Sequence, residues 1–242
     1  MIQKGAAALF FIFSLLYTNI TIAQADTLIK DKAVSKAQQV YFNGIGDQAA
    51  KFNGSQYQGY LASFQDGHPY FKYDYLSKGS ITYDGLKFDN LNLLYDEVMD
   101  CVVFQDNTHR IQLVNERLSE FSIEEYNFER LVKKNNSPLI NTGFYQVLSK
   151  GKINLYKKET KRLIDKITNT NELTVLFEVH QYYYILQGNQ FFQINRKKDL
   201  LQFFTSKDPQ IIKWIKSSGL NFRKQKESSF KKVIDYYNQQ NQ

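Results

Sequence analysis

Short apolar runs alternate with turn residues over most of the chain, and this pattern constrains the fold more than any other feature. From about residue 56 to residue 194, aromatic and β-branched residues come in runs of 5–8, and turn residues interrupt them every 8–12 positions. This spacing is typical of antiparallel strands joined by hairpins. The sequence therefore predicts a mainly β (α+β) protein whose antiparallel meander of about ten strands, residues 56–195, is an open sheet or barrel-like.

The turn residues also predict how strands pair. The Asp-Gly dipeptide in "ITYDGLKF" suits a two-residue type I′ turn, because both residues tolerate positive φ angles. Such a turn places Tyr83 opposite Leu86 and Ile81 opposite Phe88, with all four side chains on one face of the sheet. The sequence thus predicts the register of this hairpin.

Three more hairpins are predicted from similar patterns. "FSIEEYNF" has the same form, but its Glu-Glu dipeptide suits the turn poorly, so we expect a longer loop there. "VLSKGKINLY" is predicted to turn at residues 150–151, and "YYYILQGNQFFQI" at residues 188–189. The last turn places Tyr183 opposite Ile194 and Tyr184 opposite Gln193 on the other face.

The strand after the first hairpin changes the parity of its apolar positions. Leu86 and Phe88 are even-numbered, whereas the following Leu91 and Leu93 are odd-numbered. Because side chains alternate between the faces of a strand, this change predicts a bulge or kink at residues 89–90.

Helical patterns flank the predicted sheet. A short helix is expected within the N-terminal segment, residues 26–55, and two or three helices within residues 196–242. In "KDPQIIKWIKSSGL", Asp208 can cap a helix and Gly219 can end it. In the last helix, Phe230, Val233, Ile234 and Tyr237 share one face, which predicts docking on the sheet; an amphipathic membrane helix is the alternative.

The first residues have the features of a secretory signal peptide. Lys4 precedes an apolar stretch of 12 residues, Ala6–Tyr17, and Ala23–Ala25 reads "AQA", a pattern that signal peptidases accept. The apolar stretch is short for a membrane span, although an uncleaved anchor stays an alternative. We therefore expect residues 1–25 to be removed and the protein to be periplasmic, at the cell surface or secreted.

Charge is distributed unevenly along the chain. Residues 26–129 carry 9 Lys and Arg against 16 Asp and Glu, a net charge of −7, whereas residues 130–242 carry 21 against 8, a net charge of +13. The basic half could meet an anionic envelope component or an acidic protein surface, or it could attract the acidic half of the same chain. Nucleic acid is not an expected partner of an exported protein.

Motifs for catalysis are missing from the sequence. The three histidines lie far apart, there is no Gly-x-Ser-x-Gly motif, and the recurring aspartates lack the spacing of a calcium loop. Cys101, the single cysteine, lies in the apolar run "CVVF" and is expected to be buried. We predict no catalytic residues, no metal site and no cofactor.

Three segments supply candidates for ligand binding. "QDGHPYF" predicts a fixed turn that presents His68 beside Tyr70, although both could serve the turn alone. "QYYYILQGNQFFQI" places aromatic rings on both faces of a hairpin, so one face could be a sugar-binding platform. A basic trio follows directly. The candidate ligand-binding residues are His68, Tyr70, Tyr184, Arg196, Lys197 and Lys198.

Several segments together resemble a known family. They are "FNGSQYQGY", "GHPYF", "KGSITYDGLKFDNLNLLYDEVMD", "GFYQVL" and "LNFRKQKESSFKKVIDYYN". The chain resembles a family of secreted proteins common in Bacteroidetes-type bacteria, from about Tyr41 to Asn238. The resemblance implies a bacterial origin and export, and it implies no activity.

These observations favour a non-enzymatic, exported β-rich module that acts in binding or assembly at the bacterial cell envelope. We expect no transmembrane span in the mature chain. Two alternatives stay open at this point: a hydrolase that acts on envelope glycans through scattered carboxylates, and a small carrier of lipid or another ligand, if the meander encloses a hollow interior.

Overall fold

A computed structural model describes residues 54–61, 64, 66–106, 109–134, 139–167, 173–205 and 208–241. The predicted signal peptide, residues 1–25, lies outside this part of the chain. So does the predicted N-terminal helical segment, residues 26–55, apart from its last two residues.

Eleven antiparallel strands form one sheet within the described residues. The strands are β1 (Ser55–Gln56), β2 (Ser77–Tyr83), β3 (Leu86–Asp96), β4 (Cys101–Asp106), β5 (His109–Gln112), β6 (Leu118–Ile123), β7 (Tyr126–Leu131), β8 (Gly143–Ser149), β9 (Asn154–Ile167), β10 (Leu173–Gln187) and β11 (Gln190–Ile194). A short 3-10 helix, Asn115–Arg117, precedes β6. The helices are α1 (Lys197–Thr205), α2 (Pro209–Ser217) and α3 (Lys226–Gln240).

The strand order confirms a mainly β fold with an open antiparallel sheet, and it departs from a simple meander at two places, where β1 pairs with β5 and where β2 pairs with β6. The order is β1-β5-β4-β3-β2-β6-β7-β8-β9-β10-β11, so β2 lies between β3 and β6. The chain therefore builds β2 to β5 in one direction and then returns to place β6 beside β2. Turn residues do not encode this return, because it joins strands that are distant in sequence.

The predicted hairpin registers are confirmed. Ile81 pairs with Phe88 across the first hairpin, and Tyr183 pairs with Ile194 across the last one. In both hairpins the two-residue turn contains a glycine with a positive φ angle, as the turn chemistry requires.

The predicted bulge at residues 89–90 is also confirmed. Gly79 pairs with Leu91, whereas Ile81 pairs with Phe88, so two residues of β3 lie opposite one residue of β2. Asn90 has a φ angle of 60°, which asparagine tolerates better than most residues. The bulge moves the apolar side chains after it back to the face on which Phe88 lies.

Two loop lengths differ from the predictions. The loop between β6 and β7 is the two-residue turn itself, so the longer loop expected at Glu124 is wrong. Glu124 takes a φ angle of 49°, and its backbone N–H donates to the Lys78 carbonyl at 2.8 Å. This bond to β2 helps to hold an unfavourable residue in the turn. The loop between β8 and β9 spans residues 150–153, two residues more than predicted.

Aromatic rings fill the core on one face of the sheet. Tyr95, Phe121, Phe128 and Phe144 are all buried. The rings of Phe121 and Phe128 stack with centroids 4.5 Å apart, and Tyr95 lies 5.2 Å from each of them. Rings of this size bury enough apolar area to stabilise a sheet without disulfides.

The sheet is strongly curved. Five strand spacings separate β3 from β9 in the strand order, which would be about 24 Å in a flat sheet. Yet Lys158 on β9 lies 2.7 Å from Asp100, which follows β3 in the turn to β4. The curvature therefore brings residues from the two halves of the chain into contact.

The C-terminal helices pack on the same sheet face as the aromatic core. Strand pairing aligns Phe128, Gln146, Lys157 and Tyr183 in one row across β7 to β10, and the ring of Phe230 on α3 contacts Tyr183 at 5.3 Å. The apolar face predicted for the last helix, Phe230, Val233, Ile234 and Tyr237, is buried. Docking of this helix on the sheet is thus confirmed.

The predicted helix ends are confirmed as well. The Asp208 carboxylate accepts hydrogen bonds from the N–H groups of Gln210 and Ile211 at the start of α2, which satisfies two otherwise unpaired donors. Gly219, just beyond the helix, has a φ angle of 66°. None of the helices within the described residues has the length and apolar character needed to cross a membrane.

Candidate functional site

Two groups of charged side chains differ sharply in burial. The first, the turn cluster, surrounds the turn between β3 and β4 and consists of Asp96, Glu97, Asp100, Lys158 and Lys161. The second, the basic groove, lies where α3 begins, beside β10. His68 and Tyr70 adjoin the turn cluster, and Lys197 contacts Phe222, which precedes the first cation of the basic groove.

Asp96 is the most buried member of the turn cluster, with no exposed surface. Its carboxylate accepts hydrogen bonds from the hydroxyls of Tyr57 and Tyr60, each at 2.8 Å, and from the N–H groups of Val98 and Met99. Burial and these bonds to the carboxylate raise the pKa of Tyr57 and of Tyr60. Four donors around one buried carboxylate indicate a structural role.

Glu97 is 3% exposed and lies 3.2 Å from the ammonium of Lys161. The same ammonium donates to the backbone carbonyls of His68 and Tyr70. Burial, together with the nearby Glu159 carboxylate, raises the pKa of Glu97 to about 7 although Lys161 opposes the shift. Lys161 therefore fixes the loop that carries His68 and Tyr70 against β9.

Asp100 completes the turn cluster. It accepts from the Tyr95 hydroxyl at 2.6 Å and from Lys158 at 2.7 Å, and Lys158 also donates to the Phe144 carbonyl. Burial lowers the pKa of Lys158, and Asp100 offsets part of that shift. Burial also raises the pKa of the Tyr95 hydroxyl. These bonds connect the β3–β4 turn to β8 and β9.

The structure places His68 and Tyr70 together, as the "GHPYF" segment suggests. Their rings lie 6.2 Å apart and nearly parallel. Burial lowers the pKa of His68, and the positive charge of Lys161 adds to this effect. The Tyr70 hydroxyl lies 3.3 Å from the Tyr57 hydroxyl, which donates to Asp96, so both residues adjoin the turn cluster.

Tyr184 is only 7% exposed. Its ring packs edge-to-face against Tyr145 at 5.8 Å, in a small cluster that also contains Ile140 and Tyr156. This packing leaves little of the ring available for stacking on a sugar. Cys101 is buried as expected, and burial raises the pKa of its thiol to about 12.

The basic trio begins helix α1 and meets a second basic segment there. Lys197 lies over the ring of Phe222, 5.5 Å from its centroid. Phe222 is followed at once by the sequence Arg223-Lys224-Gln225-Lys226. The structure thus brings residues 196–198 close to residues 223–226, which are more than 20 positions away in the chain.

The second basic segment lines a groove of about 660 Å³. Its cationic side chains are Arg223, Lys224, Lys226 and Lys232, and we call it the basic groove. Tyr183 and Gln181 on β10 form part of its wall. The ammonium of Lys226 lies 5.8 Å from the centre of the Tyr183 ring, which is itself buried in the core beneath the groove.

The acid that lines the basic groove is paired with a lysine outside it. Glu227 lines the groove, but its carboxylate is paired with Lys157 at 2.9 Å. Within the part of the chain that the structure describes, the cations of the trio and of the basic groove form no ion pair. The N-terminal ends of α1 and α3 add the positive ends of their dipoles. This arrangement favours an anionic ligand.

Metal-ligating side chains do not cluster in the described part of the chain. Residues 54–241, as far as they are described, contain no group of three or more His, Cys, Asp or Glu side chains arranged to hold a metal ion. The aspartates of "GSITYDGLKFDNLNLLYDEVMD" are instead spread over different environments. Asp84 lies in a turn beside Arg117, Asp89 is exposed, and Asp96 is fully buried.

The sequence suggested the basic trio but not the groove. Arg223, Lys224 and Lys226 stand in a segment without regular spacing, and only the packing of Phe222 beneath Lys197 brings them to the trio. A count of charges along the chain does reveal the excess of cations in the C-terminal half. It does not separate the cations that pair with buried acids from those that remain exposed.

Comparison of the chain with protein families, with curated proteins and with solved structures found no match.

Proposed function

We propose that this protein is an exported, non-enzymatic module of the bacterial cell envelope that binds phosphate-bearing anionic lipid through the basic groove. The signal-peptide pattern supports export, and the family resemblance supports an origin in Bacteroidetes-type bacteria. The observation that carries the binding proposal is the approach of two basic segments, residues 196–198 and 223–226, to one another at the start of α1 and α3.

The geometry suits a lipid headgroup better than a compact ion. Arg223 and Lys224 are exposed, and the groove is an open feature of about 660 Å³ rather than an enclosed cavity. Exposed cations gain about 1 kcal/mol each near an anionic membrane surface, and salt screens the attraction.

Sedimentation with lipid vesicles tests this proposal. The full mature chain is mixed with vesicles of phosphatidylcholine alone or with 30% phosphatidylglycerol, at low and at high salt. We expect binding to the anionic vesicles only, and we expect salt to weaken it. The triple variant Arg223→Ser, Lys224→Ser, Lys226→Ser should bind about a hundredfold more weakly, because about 1 kcal/mol is lost for each cation.

A control with the same net charge separates the groove from general attraction. Lys78, Lys133 and Lys134 are exposed lysines outside the basic groove, and replacing all three by serine also removes three charges. This control should keep binding within about threefold of the original protein, since distant charges are screened. Equal losses in the two triple variants, or no binding to anionic vesicles, would contradict the proposal.

A further inference from the structure

A second groove lies on the opposite face of the sheet from the aromatic core. It has a volume of about 430 Å³ and is lined by residues of β2, β3, β6, β7 and β8. Phe121 and Phe128 point into the core, so their neighbours in the strands, Glu120, Ser122 and Glu129, point the other way. We call this feature the sheet groove.

Strand pairing arranges polar side chains of the sheet groove in two rows. In one row, Lys87, Thr82, Glu120 and Glu129 lie opposite one another on successive strands. In the next row lie Ser80, Ser122 and Asn127. Rows on the same face of a sheet are about 7 Å apart, and neighbouring strands about 4.8 Å. Donors and acceptors therefore alternate over the floor of the groove.

The two carboxylates of the sheet groove, those of Glu129 and Glu120, differ in their hydrogen-bond and ion-pair partners. Glu129 accepts a hydrogen bond from Tyr156 at 2.7 Å and is paired with Lys150. Glu120 is exposed, and within the described residues it has neither an ion pair nor a hydrogen bond through its carboxylate. Its strand position is directly opposite Glu129, where a like charge is unfavourable.

The charges of this groove differ from those of the basic groove. The acids Glu120 and Glu129 are balanced by Lys87 and Lys150, so the lining carries no net charge. Because the Glu129 oxygens are already bound, the two acids do not form a ligand set for a cation. The hydroxyls of Ser80 and Ser122, 2.9 Å apart, can each donate or accept. A neutral ligand rich in hydroxyl groups matches this lining.

We infer that the sheet groove binds a neutral glycan, and that the Glu120 carboxylate accepts hydrogen bonds from adjacent sugar hydroxyls. Lysines 87 and 150 donate to ring or hydroxyl oxygens at the two ends of the groove. A free carboxylate retained beside a like charge is unfavourable for folding, and a ligand that donates to it removes the disadvantage. This inference concerns binding only, and it is independent of the basic groove.

Affinity electrophoresis tests the inference. The full mature chain is run in native gels that contain dextran, hydroxyethyl cellulose, α-mannan or xylan, and its mobility is compared with that in a gel without polysaccharide. We expect at least one of these neutral glycans to retard the protein. Glu120→Thr should weaken that binding at least tenfold, while its midpoint of thermal unfolding stays the same or rises because the like charges are gone.

Two control variants test whether the loss of glycan binding is specific to the sheet groove. Glu178→Thr removes an acid from β10, outside the sheet groove, and should leave the retardation unchanged. The triple variant of the basic groove, Arg223→Ser, Lys224→Ser, Lys226→Ser, should also bind the glycan normally, even if it no longer binds vesicles. The inference is overturned if none of the four polysaccharides retards the protein, or if Glu120→Thr is retarded as strongly as the original chain.

Discussion

Lysines on β9 and lysines at the start of the helices have the same chemistry and different roles. Lys158 and Lys161 are largely buried and pair with the acids of the β3–β4 turn. Lys224 and Lys232 are exposed beside the basic groove. The first pair connects the two halves of the sheet, whereas the second pair is available to a ligand. Burial and an acidic partner, rather than residue type, distinguish the lysines that stabilise the fold from the lysines that are exposed.

The same comparison explains the uneven charge of the chain. The sequence left open whether the basic half attracts a partner or the acidic half of its own chain. The structure contains ion pairs between the two halves. Glu97 and Asp100 come from the acidic half, and both pair with lysines of β9. Within the described residues, the cations of the basic groove form no ion pair, whereas the neighbouring Lys231 pairs with Asp235.

The largest predicted effect concerns Asp96. Asp96→Ala removes the acceptor for two tyrosine hydroxyls and two backbone N–H groups. We expect it to lower the free energy of unfolding by about 4 kcal/mol, because buried donors are left unpaired. Urea denaturation followed by circular dichroism measures this change. Asp89→Ala is the matched control on β3; its side chain is exposed, and a change within about 0.5 kcal/mol is expected.

Replacing single lysines by methionine compares the two regions directly. Lys158→Met keeps the length of the side chain but removes the ammonium that donates to Asp100 and to the Phe144 carbonyl, so the Asp100 carboxylate loses its countercharge. We expect a loss of about 3 kcal/mol in the free energy of unfolding. Lys224→Met, in the basic groove, should change it by less than about 0.5 kcal/mol. Similar losses in the two variants would refute the distinction between the regions.

Glu97 should make stability depend on pH. Its pKa is raised to about 7 in the folded protein, above the value of an unfolded glutamate. The folded state therefore binds the proton more tightly, and the stabilisation is complete below the unfolded pKa and is lost as the pH rises towards 7. Between pH 5 and pH 7, we expect the original protein to lose about 2 kcal/mol more than Glu97→Gln. Parallel denaturation midpoints for the two proteins over this range would contradict the burial argument.

The smallest predicted effect is the change in the free energy of unfolding when cations of the basic groove are removed. The triple variant of Arg223, Lys224 and Lys226 loses one cation–π contact, that of Lys226 with Tyr183. We expect its free energy of unfolding to change by less than about 1 kcal/mol, even though vesicle binding falls steeply. Calorimetry on the variant checks this. A large loss of stability would mean that these cations stabilise the fold as Lys158 does, and it would contradict the prediction.

Local features of the sequence predicted local features of the fold. The Asp-Gly turn, the parity change before Leu91 and the cap at Asp208 each depend on a few neighbouring residues, and all three predictions are confirmed. The pairing of β2 with β6 and the curvature of the sheet depend on contacts between distant residues. No turn or periodicity encodes them, so the sequence left open whether the sheet closes.

The candidate sites divide in the same way. The sequence pointed to His68 with Tyr70 and to the trio of residues 196–198, and in each case the residues are adjacent in the chain. It did not anticipate that Lys161 fixes the His68 loop or that Phe222 joins the trio to a second basic segment. Alternation predicted that Tyr184 faces away from Tyr183, but not that Tyr145 covers its ring.

Lysine footprinting tests the central distinction most directly. The protein is acetylated briefly with and without anionic vesicles, and modification at each lysine is measured by mass spectrometry. We predict that Lys224 and Lys232 are modified in the free protein and protected by the vesicles, while Lys158 and Lys161 are modified slowly in both samples. Protection of Lys78 and Lys87 instead, or rapid modification of Lys158 in the folded protein, would contradict the account.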